Sequence, residues 1–92
     1  MQQDAAETLA LKALAWLAVN DELLPVFLGA TGASLADLAA RAGEAQFLGS
    51  VLDFVLQDDA WVLGFAAAAG ERPEALADAR RALPGGEAVH WT

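Results

Sequence analysis

The only imidazole in the sequence is His90, which follows a Pro-Gly-Gly break at residues 84–86 and precedes Trp91. A catalytic or metal-binding histidine needs partner groups held at a fixed geometry. Because the chain has no cysteine, further metal ligands would have to be carboxylates. These residues also come directly after a strong helix break, so we interpret them as a C-terminal tail rather than a site.

Paired carboxylates occur at residues 21–22 and 58–59. Some hydrolases use two carboxylates across a cleft. Both pairs, however, stand where helices are predicted to begin, and acids are favoured there by the helix dipole and by unpaired backbone N–H groups. The alternating acids and glycine of a calcium-binding loop are absent. We therefore interpret both pairs as helix caps and predict no catalytic, metal-binding or cofactor-binding residue.

Ser34 precedes Leu35 at another predicted helix start. The pair weakly resembles the Asp-Ser-Leu site at which acyl carrier proteins bear phosphopantetheine, although Ala33 stands where that motif has aspartate. A serine at this place is typical of a helix N-cap. We favour the cap and keep a carrier-like protein as an alternative.

Residues 35–52 superficially resemble a helix-turn-helix. The second helix of that motif would offer Gln46, Ser50 and Asp53, and the sequence has no lysine or arginine between Arg41 and Arg72. The 13 acidic and 5 basic residues give the chain a net charge of −8. This charge repels DNA, RNA and anionic membranes, so we expect neither a nucleic acid nor a membrane as partner.

Tryptophan is enriched among the residues that dominate protein interfaces. Most of the seven aromatic residues are spaced as core residues of amphipathic helices. Trp61 and Trp91 are the two that we predict to contact a partner, which would be another protein or a second copy of the chain in a homodimer.

The elements that must position these side chains are predicted to be helices. Isoleucine is absent and valine occurs six times, whereas alanine and leucine supply 38 of the 92 residues. Strands therefore have little to build from. The length predicts one helical domain over residues 1–92, with flexible ends at 1–4 and 84–92. Because 23 residues are alanine, the core is modest and dimerisation would add to it.

Caps and breakers divide the chain into five or six helices. An Asp4–Glu7 capping box is predicted to open the first helix, and Gly43 is predicted to end the third in the left-handed conformation. The fifth helix is apolar nearly all round, which predicts a central position or an interface. The predicted elements span 5–19, 21–32, 34–43, 45–57, 58–69 and 73–83.

A shift of 38 residues aligns the chain with itself. Leucines, aromatics and turn glycines coincide, which fits either a duplication or two convergent helical hairpins. Both explanations predict a compact bundle with two related halves. The matched pairs are Leu14 with Leu52, Trp16 with Phe54, Leu17 with Val55, Asp21 with Asp59, Phe27 with Phe65, Gly32 with Gly70, and Leu38 with Leu76.

Three segments carry a family resemblance. They are WLAxxxELLPxFLxxTG from Trp16 to Gly32, FLGSVLDFVLQDD from Phe47 to Asp59, and a late stretch with Pro73 and Arg80. Together they resemble a family of short proteobacterial proteins that form a domain of unknown function. The resemblance implies a small helical cytoplasmic protein and supplies no activity, ligand or catalytic residue.

These observations predict an all-α bundle that is not an enzyme and needs no cofactor. We expect a non-enzymatic protein-interaction or regulatory module whose association surface includes the fifth helix. The alternative is a bundle whose fourth and fifth helices line an apolar pocket for a lipid or acyl group. The N-terminus carries acids where a secretory signal needs basic residues, and no apolar run approaches the ~20 residues of a membrane span. We therefore expect a cytoplasmic location.

Overall fold

The computed structural model describes residues 1–85, which form six α-helices and no strand. The prediction of an all-α bundle of five to six helices is confirmed. The elements are α1 (Gln3–Ala18), α2 (Leu23–Thr31), α3 (Leu35–Ala40), α4 (Ala45–Val55), α5 (Asp59–Ala69) and α6 (Glu74–Ala82).

Polar side chains cap α3 and α5 as predicted. The cap predicted at the carboxylates of residues 21–22 is wrong, because Glu22 makes no side-chain cap and Asn20 accepts the hydrogen bonds instead. At α3, the Ser34 hydroxyl accepts a hydrogen bond from the Asp37 amide at 3.3 Å, and the Asp37 carboxylate accepts one from the Ser34 amide at 2.9 Å. At α5, the Asp58 carboxylate accepts from the Ala60 amide at 2.8 Å. The Asn20 side chain accepts from two backbone amides at the start of α2. Each cap pairs N–H groups that have no partner within the helix.

The capping box predicted at Asp4 and Glu7 is wrong. The first helix begins at Gln3, before Asp4, and the preceding residue Gln2 makes no side-chain cap. Asp4 therefore lies inside the first turn, where its charge still suits the helix dipole. The Glu7 carboxylate accepts a hydrogen bond from the Gln3 side chain at 2.9 Å instead.

Glycines end the two apolar helices. Gly32 after α2 and Gly70 after α5 have φ of 74° and 70°, in the left-handed region that glycine enters at no steric cost. The left-handed cap predicted at Gly43 is wrong, because the φ angle of this residue is not positive. The third helix ends instead with Arg41 in its C-cap position at φ −104°.

The core lies where α1 packs against α4 and α6. Each of these three helices has an apolar stripe at three- and four-residue spacing, which the packing buries. The helices α2 and α5 lie at the edges and insert fewer side chains. The largest fully buried side chains are Leu17, Phe27, Phe47, Leu48, Val51, Leu52, Val55, Phe65, Leu76 and Leu83.

The two halves predicted from the 38-residue shift share their helix order but pack differently, because α1 packs extensively on α6 whereas α4 makes no comparable contact with α3. Helices α1, α2 and α3 recur in order as α4, α5 and α6, and α2 and α5 share the same glycine ending. The correspondence extends to burial, since matched apolar residues lie in the core in both halves. These pairs are Leu14 with Leu52, Leu17 with Val55, Phe27 with Phe65, and Leu38 with Leu76.

Loss of the α3 cap gives a first testable expectation. Replacing Ser34 with Ala removes the acceptor for the Asp37 amide, so the free energy of unfolding should fall by about 1 kcal/mol. Ser34→Thr keeps a hydroxyl at the same place and should retain most of the stability. Urea titration followed by circular dichroism measures both variants, and equal stability of Ser34→Ala and the parent chain would contradict the capping role.

Candidate functional site

The fifth helix lies at the edge of the bundle, with an apolar surface left uncovered. Only Phe65 and Ala66 of α5 are buried, whereas Leu63 on the outer side is 57% exposed. Of the two positions predicted for this helix, the central one is therefore wrong. Its contact with a partner stays a prediction.

An open groove runs between α1 and α5, and we call it the α1–α5 groove. Its volume is about 430 Å³. The rings of Trp16 and Phe65 form its floor and meet edge to face, with centroids 5.9 Å apart and an interplanar angle of 65°. Three alanines form much of its walls, and the Trp16 ring is partly exposed there, whereas Phe65 is fully buried beneath it. The lining residues are Lys12, Ala15, Trp16, Phe65, Ala68 and Ala69.

Contacts along the groove show that α1 and α5 run antiparallel. The Lys12 ammonium of α1 lies 3.0 Å from the Glu71 carboxylate, just beyond the C-terminal end of α5. One turn later on α1, Trp16 lies against Phe65 and beside Gly64, where an added Cβ would stand 3.4 Å from the indole. The ion pair is partly exposed, so it contributes less than about 1 kcal/mol to the free energy of unfolding. Its main effect is that the two charges at that end of the groove cancel.

The chain segments that follow α1 and begin α5 are acidic. Because the helices are antiparallel, the C-terminal end of α1 and the N-terminal end of α5 lie at the same side. Asp21 and Glu22 follow α1, and Asp59 begins α5; all three are exposed and make no ion pair within residues 1–85. Negative charge at this end has no compensating cation in the described part of the chain.

The predicted contact residue Trp61 lies outside the groove lining and is half-buried. Its indole stacks on the Phe54 ring, with centroids 4.8 Å apart and an interplanar angle of 21°. Trp61 therefore helps to hold α5 against α4, and its role in partner binding stays a prediction. The other predicted contact, Trp91, lies outside the described residues, as does His90.

The helix that resembles a DNA-recognition helix is part of the core. Seven of the eleven residues of α4 are buried. Asp53, on its exposed side, accepts a hydrogen bond from Arg80 at 2.6 Å. Arg80 also donates to the Pro84 carbonyl at 3.1 Å, and its guanidinium lies over Gly49. This arginine ties α6 to α4, and α4 has little free surface left.

The α1–α5 groove differs in place from the apolar pocket predicted between the fourth and fifth helices, where Trp61 stacks on Phe54. Binding of an apolar ligand stays a prediction. Sequence reasoning missed Lys12, Ala15 and Ala68 as surface-forming residues. The signal for Lys12 and Ala15 is that Leu11 and Val19, apolar residues on the side of α1 opposite the buried stripe, are exposed. Ala68 has no such signal in the sequence.

Residues 1–85 contain neither a metal-binding cluster nor a single helix that could span a membrane. No group of three or more histidine, cysteine, aspartate or glutamate residues stands together there as metal binding requires. No single helix there has the length and apolar composition to cross a bilayer, although α1 and α2, bent by 118°, pass that test as a pair.

Comparison with known proteins identifies one family. The family described as "Protein of unknown function (DUF3572)" matches residues 3–86, which include both halves of the bundle and the whole groove. No curated protein and no solved structure matches the chain.

Proposed function

We propose that this chain, which belongs to the DUF3572 family, is a non-enzymatic protein-interaction module that binds a helical segment of another protein in the α1–α5 groove. The observation that carries the proposal is the half-buried Trp16 ring, which lies against the buried Phe65 ring and is partly exposed in the groove. Helices commonly bind by laying an apolar face into such a groove. A cytoplasmic location is part of the same proposal.

The surface around the groove supports this proposal. Leu11 and Val19 on α1 are 42% and 80% exposed. Ala15 and Ala68 are also exposed and lie at the groove itself. Contiguous apolar surface around a partly buried aromatic is typical of a binding site, because burying it on association removes it from water.

The charges define the chemistry of the partner. One end of the groove holds the Lys12–Glu71 pair, and Asp21, Glu22 and Asp59 lie beyond its lining, in the segments that follow α1 and begin α5. A segment with an apolar face and lysine or arginine at one end complements this pattern and is steered towards a chain of net charge −8. A second copy of the chain carries the same negative charge and fits less well.

A substitution in the groove tests the proposal. Ala68→Arg places a long cation at the groove wall, where it fills space and repels a basic partner. Ala68 is exposed and arginine is a good helix former, so the fold should persist. We expect the variant to bind the native partner at least about tenfold more weakly than the parent chain. Quantitative affinity capture from the source cytoplasm measures this loss.

The matched control is Ala67→Arg, on the exposed outer side of the same helix and outside the groove. It makes the same change of charge and size and should retain the partner. If both variants capture the same proteins as the parent chain, the α1–α5 groove is not the binding surface. If both lose them, the loss does not depend on the groove, and the assignment of binding to the α1–α5 groove fails.

Binding of an acyl chain is a second candidate function. The groove volume of about 430 Å³ falls in the range of about 300 to 1,000 Å³ that small-molecule sites occupy, and its floor is aromatic. Dodecanoate should then raise the midpoint of thermal unfolding of the parent chain but not that of Ala68→Arg. An equal effect on both proteins would argue against this alternative.

The carrier-like alternative has a separate test. Ser34 bears the capping hydroxyl of α3 and is exposed. A carrier protein coexpressed with a phosphopantetheine transferase gains the mass of the prosthetic group on its serine. An unchanged mass of the chain after coexpression would remove this alternative.

A further inference from the structure

Arg80, near the C-terminal end of α6, joins three parts of the bundle. Its Nε donates to the Asp53 carboxylate of α4 at 2.6 Å, and its Nη1 donates to the Pro84 carbonyl at 3.1 Å. The side chain is only 17% exposed, whereas arginine is mostly found exposed to solvent. One guanidinium therefore connects α4, α6 and the chain that follows α6.

Two glycines leave the space that this guanidinium occupies. A Cβ added to Gly49 of α4 would stand 3.0 Å from Nη1 of Arg80, and one added to Gly85 would stand 3.2 Å from Nη2. Both distances are shorter than the separation of about 3.5 to 4.0 Å at which non-bonded atoms pack best. Gly85 also has a φ of 92°, which residues with a side chain rarely adopt. The guanidinium thus fits because both positions lack a side chain.

The chain that follows α6 depends on Arg80 for its attachment. We call Leu83, Pro84 and Gly85 the 83–85 strap. Leu83 is 1% exposed and adds to the core beyond the end of α6, whereas Pro84 and Gly85 are exposed. Within residues 1–85, both hydrogen bonds of the strap are made with Arg80. The Leu83 amide donates to its backbone carbonyl at 3.2 Å, and the Pro84 carbonyl accepts from its side chain.

We propose that Arg80 is a latch, whose release lets the 83–85 strap open while the rest of the bundle stays folded. Segments with few buried contacts open at a lower free energy than the core does. The latch includes an ion pair with Asp53, which is 55% exposed, so dissolved salt screens it. Opening withdraws Leu83 from the core and removes the fixed point on α4 from which the chain continues after Gly85.

Amide hydrogen exchange of the full chain, followed by NMR, tests the proposal. The Leu83 amide reports on the strap, and the amides of Val51 and Leu52, both fully buried in α4, report on the whole bundle. In the parent chain, the Leu83 amide should be at least about tenfold less protected than the α4 amides. Arg80→Gln should lower the protection of Leu83 about tenfold further and that of the α4 amides much less. Equal protection of Leu83 and α4 in the parent chain would overturn the proposal.

Arg81→Gln is the matched control. It makes the same change at the next residue, whose side chain is 66% exposed and pairs with Asp78 of its own helix. This variant should leave the protection of Leu83 unchanged. If Arg81→Gln and Arg80→Gln lower it equally, the effect is a general one of charge on α6 and Arg80 is not a latch.

Salt gives a test that needs no folded variant. Raising the NaCl concentration from about 0.02 M to about 0.5 M should lower the protection of Leu83 in the parent chain, because the Arg80–Asp53 ion pair is screened. The α4 amides and the Leu83 amide of Arg80→Gln should respond much less. An equal response of Leu83 and α4, or no response of either, would contradict an ionic latch.

Gly49→Ala tests the space beneath the guanidinium. Alanine is a better helix former than glycine, so helix propensity alone predicts a more stable α4. The added Cβ displaces the Arg80 guanidinium, however, and the protection of Leu83 should fall about fivefold. In an Arg80→Gln background the same change should leave Leu83 unaffected, because no guanidinium remains to be displaced. An equal effect of Gly49→Ala in both backgrounds, or none in the parent chain, would show that Gly49 does not admit a latch.

Discussion

Phe27→Ala is expected to lower the free energy of unfolding by about 4 kcal/mol. The side chain is fully buried and packs edge to face on two rings, Phe47 at 6.2 Å and Phe54 at 5.3 Å. Its removal leaves a cavity where α2 meets α4 and forfeits both aromatic contacts. Domains of this size are stable by only about 5 to 14 kcal/mol, so the variant loses a large share of its stability. Urea titration at 25 °C measures the change.

Val26→Ala is the control for this prediction. Val26 is the neighbouring residue on α2 and is 49% exposed. Its truncation should change the free energy of unfolding by no more than about 0.5 kcal/mol. A loss below about 1 kcal/mol for Phe27→Ala would mean that α2 does not pack on α4 as the structure shows.

Helix positions follow from local sequence signals in this chain. Ser34, Asp58 and Gly70 each act within one turn of their own helix, so their effect is independent of the rest of the fold. The wrong expectation at Asp4 has the same local origin, because a carboxylate there suits the helix dipole whether it caps the helix or lies in its first turn. Such signals fix where helices lie to within a few residues.

The location of the candidate site does not follow from local signals. Because α5 is apolar on nearly every side, its sequence does not tell which side the bundle buries. That choice depends on Trp16 of α1, a residue more than 40 positions away whose edge meets Phe65. The groove is therefore a property of packing between helices, and the sequence predicted only that α5 would have surface to spare.

The repeat shows where sequence comparison within one chain is informative. The matched residues Phe27 and Phe65 predicted equivalent packing, and both are fully buried against rings of the other half. The shift also pairs Leu23 with Trp61, so the two halves differ in aromatic content at this position. The structural role of the tryptophan became apparent only when the structure placed it on Phe54. The repeat therefore predicts which phenylalanines are buried, and it does not predict where the groove lies.

Phe65→Ala is expected to lower the free energy of unfolding by about 3 kcal/mol and to loosen α5 before the rest of the bundle unfolds. Phe65 is fully buried, and Ala66 is the one other buried residue of α5. Without this ring, α5 retains the Trp61–Phe54 stack and the Lys12–Glu71 ion pair as its main attachments. Hydrogen exchange followed by NMR should show faster exchange of α5 amides, while those of α4 keep their protection relative to global unfolding.

Leu63→Ala separates this effect from a general loss of apolar surface on α5. Leu63 is 57% exposed, so its truncation should leave both stability and α5 exchange nearly unchanged. Uniform acceleration of exchange in Phe65→Ala would instead show that α5 unfolds only with the whole bundle. Because Phe65 is also half of the groove floor, Phe65→Ala should lose partner binding for a structural reason. Ala68→Arg, which leaves the floor and the core intact, is therefore the variant that connects the groove to function.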